Sequence, residues 1–142
     1  MSEGARTWTV NGKPCGPEFP DLTEDERAEG ARFLTFYPTS YITAHVDFLR
    51  VGTIRPMGPE RTLLTIDWLF APETLAGPGF DLANAVEFVA EVIDEDAMAC
   101  EMNQRGLASD RYRAGTLMPQ EFDIAHFHSW LRARLPFEDH ST

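Results

Sequence analysis

The sequence predicts an α+β fold in which an antiparallel sheet packs against one long helix. Apolar and β-branched residues alternate with a period of two across much of 32–70, which is typical of strands with one buried face. An apolar stripe with helical spacing follows from Leu82. The turn at 56–60 is too short for a helical crossover, so it must join antiparallel neighbours.

Length and composition limit the possible functions. The 142 residues fit one domain, and 43% apolar with 25% charged residues is typical of a globular chain. With 12 basic and 23 acidic side chains the net charge is −11, which argues against nucleic acid or an anionic membrane surface as a partner. No apolar run could span a bilayer and the first residues lack the features of a signal peptide, so we expect a cytoplasmic protein.

The first thirty residues predict a strand, a loop and a short helix. Thr7–Val10 alternates and precedes Asn11–Gly12, which is a strong turn signal. The segment 13–21 contains three prolines and is predicted to be a loop. Thr23 precedes three acidic residues, which is typical of a helix start, and Gly30 is predicted to end that helix.

Three strands are predicted between Arg32 and Phe70. They cover 33–37, 41–54 and 63–70, with the turn at 56–60 between the last two. One face of the last strand is apolar and is therefore suited to burial; it carries Leu64, Ile66, Trp68 and Phe70.

The longest predicted element is a helix that follows a loop at 72–78. Asp81 is its predicted N-cap, and the helix runs through Met102 to a stop at Gly106. Its apolar stripe has the spacing of a core-facing helix and comprises Leu82, Val86, Val89, Ile93, Ala97 and Cys100. A last helix is predicted over 121–135.

Asp96 interrupts this stripe with a carboxylate. It lies three residues after Ile93 and four before Cys100, which places it on the face predicted to be buried. A buried, unpaired carboxylate is costly, so the spacing indicates either a metal-binding or catalytic role or a salt-bridged residue at the edge of the stripe. The spacing alone leaves both alternatives open.

The second predicted strand carries polar side chains that could bind a ligand. His45 and Asp47 are two residues apart and are predicted to share a face with Leu49 and Val51, where His45 could line a pocket. The plainer alternative is a strand histidine that is hydrogen-bonded to its neighbour. Arg50 is predicted to lie on the opposite face and to pair with a carboxylate.

The remaining histidines and cysteines form no recognisable metal site. His126 and His128 fall in a predicted helix, where residues two apart point in different directions. Cys15 and Cys100 form no CxxC pair, so they indicate isolated thiols and neither a zinc ribbon nor a disulfide framework.

Several short motifs occur in one order along most of the chain. The most specific is Asp-x3-Cys-Glu-x2-Gln-Arg-Gly, formed by Asp96, Cys100–Glu101 and Gln104–Gly106. The others are Phe36–Pro38, His45–Asp47, Pro56–Thr62, Asp67–Phe70, Tyr112–Gly115, Glu121 and Phe127–Leu131. From about residue 5 to 135 the chain thereby resembles the C-terminal part of the catalytic domain of Rieske non-haem iron oxygenases, the α subunits of aromatic-ring-hydroxylating dioxygenases and their monooxygenase and demethylase relatives.

The resemblance implies a mononuclear Fe(II) site held by two histidines and one carboxylate, which Asp96 matches. In the family both histidines come from a His-x4-His segment, and no two of the four histidines here have that spacing. With Cys15 and Cys100 as the only cysteines, the Rieske domain and its [2Fe–2S] cluster are expected in a missing part. Residues 1–142 are therefore expected to be one domain, the C-terminal part of an incomplete helix-grip catalytic domain.

For the complete enzyme the resemblance implies an oxidoreductase. A reductase or ferredoxin would supply electrons for the hydroxylation or oxidative demethylation of a small aromatic or quaternary ammonium substrate. Departures from the family pattern at Val46, Ile93 and Ala97 favour the quaternary ammonium group. The predicted substrate-binding residues are His45, Val89, Val92 and Ile93.

Three interpretations of the chain remain open. It is a fragment or split-gene product that needs its N-terminal half, a stand-alone helix-grip module that binds an apolar ligand without redox activity, or a partner of a full-length α subunit. In the first case we expect no activity from the chain alone and a homo-oligomer when the protein is complete. An adjoining reading frame that encodes the Rieske motifs and the histidine pair would favour this first case.

Overall fold

The computed structural model describes residues 4–136 and confirms the α+β class. The helices and strands are α1 Glu24–Glu29, β1 Ala31–Phe36, β2 Ser40–His45, β3 Phe48–Gly58, β4 Arg61–Phe70, α2 Pro72–Ala76, α3 Leu82–Leu107 and α4 Phe122–Arg132. The chain divides into two compact units, of which one ends at Ala108 and the other begins at Ser109. The sheet and α1–α3 belong to the first unit, and α4 belongs to the second.

Helix α1 begins and ends as the sequence predicts. The Thr23 side chain accepts a hydrogen bond from the backbone N–H of Glu26, and the Glu26 carboxylate accepts one from the Thr23 N–H over 2.8 Å. This reciprocal cap satisfies two N–H groups that the first helical turn leaves free. Gly30 ends the helix with a φ of 73°, a left-handed conformation that glycine adopts without steric cost.

The sheet is antiparallel with the strand order β1-β2-β3-β4. The predicted single strand over 41–54 is wrong, because the chain reverses at Val46–Asp47 and forms the separate strands β2 and β3. The loop before α1 stabilises this reversal: the Phe19 N–H donates to the Val46 carbonyl over 2.8 Å, and the Cys15 N–H donates to the Asp47 carboxylate over 2.6 Å. Both residues of the turn are consequently buried.

Strands β3 and β4 form the predicted hairpin, with Pro59 and Glu60 between them. One face of the sheet bears a row of aromatic rings. The ring of Phe48, which is fully buried, lies 5.4 Å from that of Phe70, and Phe70 lies 5.0 Å from Phe80. The segment after β4 was predicted to be a loop, but it includes the short helix α2, which begins with Pro72 in the first helical turn.

The N-terminal segment forms a turn without the predicted strand. The Gly12 N–H donates to the Thr9 carbonyl, which confirms a turn at Asn11–Gly12. The prediction of a strand at Thr7–Val10 is wrong, because the Val10 N–H donates to the Asn84 carbonyl over 2.9 Å and pairs with no strand. The Asn11 N–H donates to the Asn84 side chain over 3.0 Å, so the segment is attached to the start of α3.

Helix α3 has the predicted N-cap, since the Asp81 carboxylate accepts hydrogen bonds from the backbone of the first turn. Only Ala85 and Val89 are buried, and every residue from Asp94 to Leu107 is exposed. The prediction that Asp96 lies in a buried stripe is therefore wrong. The physical reason is that the second half of α3 extends beyond the elements that cover its first half.

In the second unit, a short 3₁₀ turn at Pro119–Glu121 precedes α4. The Met118 N–H donates to the Glu121 carboxylate over 2.6 Å, which stabilises this entry into the helix. None of the helices between residues 4 and 136 is long and apolar enough to cross a membrane.

Candidate functional site

The sheet brings His45 and Arg50 together as a buried pair. Arg50 Nε donates a hydrogen bond to His45 Nε2 over 3.0 Å, and the two residues are 3% and 7% exposed. The sequence placed them on opposite faces. Because the chain reverses at Val46–Asp47, His45 shares a face with Phe48 and Arg50, and the prediction that it shares one with Asp47, Leu49 and Val51 is wrong.

Two aromatic side chains enclose this pair. The ring of Phe48 stacks on His45 with 4.4 Å between centroids. Trp8, from the N-terminal segment, lies 5.9 Å from the His45 ring and 5.6 Å from the guanidinium carbon of Arg50. We refer to Trp8, His45, Phe48 and Arg50 as the His45–Arg50 cluster.

His45 is a neutral hydrogen-bond acceptor in this cluster. Burial, and after it the positive charge of Arg50, lower the pKa of His45 to about 3, while the backbone at Gly30 acts in the opposite direction. A histidine with this pKa is uncharged at neutral pH. It accepts the Arg50 hydrogen bond but provides no negative charge to balance the guanidinium.

Among residues 4–136, Arg50 is a buried cation without a carboxylate partner. Within residues 4–136, the ion pairs involve Arg6, Arg27 and Arg32, and no carboxylate oxygen lies within 4.0 Å of the Arg50 guanidinium. The prediction that Arg50 pairs with a carboxylate is therefore wrong. Burial lowers the pKa of Arg50, an effect that the nearby Tyr41 opposes.

Asp47 and Cys15 form a second buried polar contact beside the cluster. Burial raises the pKa of the Asp47 carboxyl, an effect that the backbone N–H of Cys15 opposes. Burial and the charges of Asp47 and Asp81 raise the pKa of the Cys15 thiol to about 11. Cys15 therefore remains protonated and is not a nucleophile at neutral pH. Both Cys15 and Cys100 are free thiols, as predicted.

A cleft of about 570 Å³ lies between the N-terminal segment and α3. Trp8, Phe88 and Val92 contribute apolar surface to it. Of the four predicted substrate-binding residues, only Val92 lines this cleft. Val89 is buried in the core, Ile93 is half-buried, and His45 lies in the cluster. Trp8 belongs to both the cleft and the His45–Arg50 cluster, because it lines the cleft and contacts both His45 and Arg50.

His126 and His128, the two histidines of the second unit that the structure describes, contact different aromatic rings. His126 lies 5.9 Å from the Phe122 ring and His128 lies 6.4 Å from the Phe127 ring, on helix α4. This agrees with the prediction that two histidines two residues apart diverge on a helix.

The comparisons with known proteins identify the family. The family model described as ring hydroxylating α subunit (catalytic domain) matches residues 1–136. The chain belongs to this family. The predicted resemblance to the catalytic domain of Rieske oxygenases is thereby confirmed.

Family members with curated names include enzymes that act on quaternary ammonium compounds. The chain is 28% identical to the glycine betaine monooxygenase oxygenase subunit of Pseudomonas aeruginosa over 136 residues, which is 95% of this chain and 32% of that protein. It is 31% identical to the chloroplastic choline monooxygenase of Spinacia oleracea over 100 residues, 70% of this chain and 23% of that protein. The chain thus spans about a third or less of the length of these relatives.

Residues 4–136 of this ring-hydroxylating domain do not form a complete iron site. In the part of the chain that the structure describes, no three His, Cys, Asp or Glu side chains are grouped so that they could hold a metal. Asp96 is exposed, so its carboxylate is accessible to an ion that other residues would also have to ligate. A site with three such ligands would therefore need side chains from outside residues 4–136.

Sequence reasoning missed Trp8 and misplaced Arg50. The sequence predicts Trp8 in an opening strand, although a large aromatic side chain next to a turn signal is also typical of a segment that covers a sheet. The signal for Arg50 is its spacing in the strand. It lies two residues after Phe48 and four before Ile54, so it shares a face with these apolar side chains, which indicates a charge on a buried face.

Proposed function

We propose that this chain is the C-terminal part of the catalytic domain of a Rieske-type oxygenase. The observation that carries the proposal is the family match over residues 1–136 in a chain that spans about a third of its relatives. The complete enzyme would use mononuclear Fe(II), O₂ and electrons from a reductase or ferredoxin. We propose a small quaternary ammonium compound as the substrate class, since the relatives named above are glycine betaine and choline monooxygenases.

Asp96 is the proposed iron ligand of this chain. Its carboxylate is exposed on α3, and two neutral histidines from the missing part of the protein would complete the site. When bound, Fe(II) supplies the activation of O₂ and the oxidation of the substrate. The contribution of this chain is to hold one carboxylate and part of the substrate-binding surface on a defined helix and sheet.

Partners follow from the same proposal. The missing N-terminal half, or a full-length α subunit, would supply the histidine pair, and the [2Fe–2S] cluster would lie in that part. The exposed apolar side chains of the sheet and of α3 agree with such an assembly, since Phe33, Met98 and Met102 are each at least 60% exposed. The predicted cytoplasmic location and homo-oligomer stay predictions.

The test is iron content and oxygen uptake after assembly. The chain is co-expressed with a polypeptide that carries the Rieske motifs and a His-x4-His segment, purified anaerobically, and assayed for Fe(II) at the mononuclear site. We expect Asp96→Ala to lose that iron and glycine betaine-dependent oxygen uptake. Asp94→Ala is the matched control, because Asp94 is an exposed carboxylate on the same helix. Retention of iron by Asp96→Ala would disprove the ligand assignment.

The cleft beside Trp8 favours a second candidate function, a stand-alone module that binds an apolar ligand. Its walls include Trp8, Phe88 and Val92, and its volume of about 570 Å³ is sufficient for a small molecule. This alternative predicts that the chain alone binds apolar ligands and that Val92→Asp abolishes binding, with no dependence on Asp96. The oxygenase proposal predicts no oxidation by the chain alone.

A further inference from the structure

A buried positive charge without a counter-charge lies on the sheet. Arg50 is 7% exposed, its only described hydrogen-bond acceptor is neutral His45, and no carboxylate of residues 4–136 is within ion-pair distance. Removing a charge from water is unfavourable unless a partner compensates for the lost hydration. The site is therefore suited to an anion that residues 4–136 do not provide.

Arg50 and Trp68 offer hydrogen-bond donors to such an anion. The hydrogen bond to His45 uses Arg50 Nε, which leaves the two Nη groups without an acceptor among residues 4–136. The indole N–H of Trp68 is buried and has no acceptor in the same part of the chain. Arg50 and Trp68 are direct partners in the β3–β4 ladder, so their side chains leave the same face of adjacent strands about 5 Å apart.

We propose that Arg50 and Trp68 form a subsite for the carboxylate of a small substrate. A guanidinium presents a planar pair of N–H donors that matches the two oxygens of a carboxylate, and the indole N–H provides one more donor. The inference rests on the proposed function and narrows its substrate class. The substrate would be a quaternary ammonium compound that bears a carboxylate, of the glycine betaine type, and not a quaternary ammonium alcohol such as choline.

A carboxylate could also come from a glutamate or aspartate in the missing part of the protein. The chemistry at Arg50 would be the same, but the consequence would differ. A substrate carboxylate makes Arg50 necessary for ligand binding, whereas a protein carboxylate makes it necessary for assembly. The experiment therefore measures both.

The probe is the indole N–H resonance of Trp68, followed by NMR while the ¹⁵N-labelled full chain is titrated with glycine betaine, acetate or choline. Trp68→Phe assigns the resonance. We expect betaine and acetate to shift the Trp68 signal and choline to leave it unchanged. Arg50→Gln should weaken betaine binding about tenfold or more, as expected for a lost charge-assisted hydrogen-bond pair. The betaine affinity of Arg50→Lys should lie between those of wild type and Arg50→Gln.

Arg55→Gln is the matched control. Arg55 is an exposed arginine on the same strand whose side chain leaves the opposite face, so its loss should not change the affinity for betaine. Circular dichroism confirms that each variant is folded. If Arg50→Gln does not fold, the comparison of Trp68→Phe with wild type by calorimetry replaces it, with a weaker betaine affinity expected.

Three results would overturn the inference: a Trp68 signal that does not respond to betaine or acetate, equal affinities of Arg50→Gln and wild type, or choline binding as tight as that of betaine. Loss of co-purification with the missing half in Arg50→Gln, with betaine affinity unchanged, would assign Arg50 to assembly instead. The proposed function is tested separately by iron and oxygen uptake. Betaine binding by the chain, together with no oxygenase activity of the protein assembled with its missing part, would disprove the function and retain the carboxylate site.

Discussion

The aromatic ring of Tyr41 lies directly over Gly52, its partner across the β2–β3 ladder. A methyl group at residue 52 would overlap the Cζ, Cε1 and hydroxyl positions of that ring. We therefore expect Gly52→Ala to lower the free energy of unfolding by about 2 kcal/mol, the cost of forcing extra volume into a packed site. Urea denaturation measures the change.

Two variants control for this effect. Gly106 lies in α3, and a Cβ there would meet nothing within 4 Å, so Gly106→Ala should stabilise the chain by up to about 1 kcal/mol through helix propensity. The double variant Tyr41→Ser/Gly52→Ala also removes the ring. It should lower the free energy of unfolding by less than the sum of the losses in Tyr41→Ser and Gly52→Ala. Strict additivity in this double mutant would contradict the predicted overlap.

The low pKa of His45 predicts that stability falls with acidification. The ordinary pKa is 6.5, and in the folded chain it is lowered to about 3. Below pH 6.5 the unfolded chain binds a proton at this residue that the folded chain does not, so stability decreases as pH falls from 6.5 towards 3. For one proton the slope approaches 1.4 kcal/mol per pH unit.

The measurement is the free energy of unfolding of wild type and His45→Gln at pH 7, 6 and 5. Glutamine retains an oxygen that can accept the Arg50 hydrogen bond but does not titrate. As pH falls, the free energy of unfolding of wild type should decrease relative to that of His45→Gln. A constant difference over this range would show that His45 has an ordinary pKa in the folded chain.

Local signals in the sequence were sufficient for much of the fold. The Thr23 cap, the Gly30 stop and the Asp81 cap are determined within a few residues, and the structure confirms all three. The break at Val46–Asp47 could not be found in this way. It depends on hydrogen bonds from residues 15 and 19, which are about thirty residues away in the sequence.

The reversal of the chain at Val46–Asp47 also limited how much of the candidate site could be predicted. Residues alternate in direction along a strand, so an unrecognised reversal between His45 and Arg50 assigns them to opposite faces. The mistake over Asp96 has a different cause. Helical spacing shows which residues share a face, but whether a neighbour covers that face depends on tertiary structure.

Asn84 connects the N-terminal segment to α3 through its backbone carbonyl and its side chain. Asn84→Ala removes the side-chain acceptor of the Asn11 N–H and should lower the free energy of unfolding by about 1 kcal/mol. Cleavage of the N-terminal segment by a protease should accelerate, because this segment becomes easier to detach. Asn103→Ala, at an exposed position of the same helix, should leave both measurements unchanged.

Asp96→Ala should change the free energy of unfolding by no more than about 0.5 kcal/mol, because Asp96 is exposed and participates in none of the ion pairs within residues 4–136. Val89→Ala on the same helix should cost about 2 kcal/mol, since Val89 is only 2% exposed. Thermal and urea unfolding of both variants measure this contrast. An Asp96→Ala chain as unstable as Val89→Ala would mean that Asp96 is part of the packed structure, and a loss of iron in that variant could then no longer be attributed to the missing ligand.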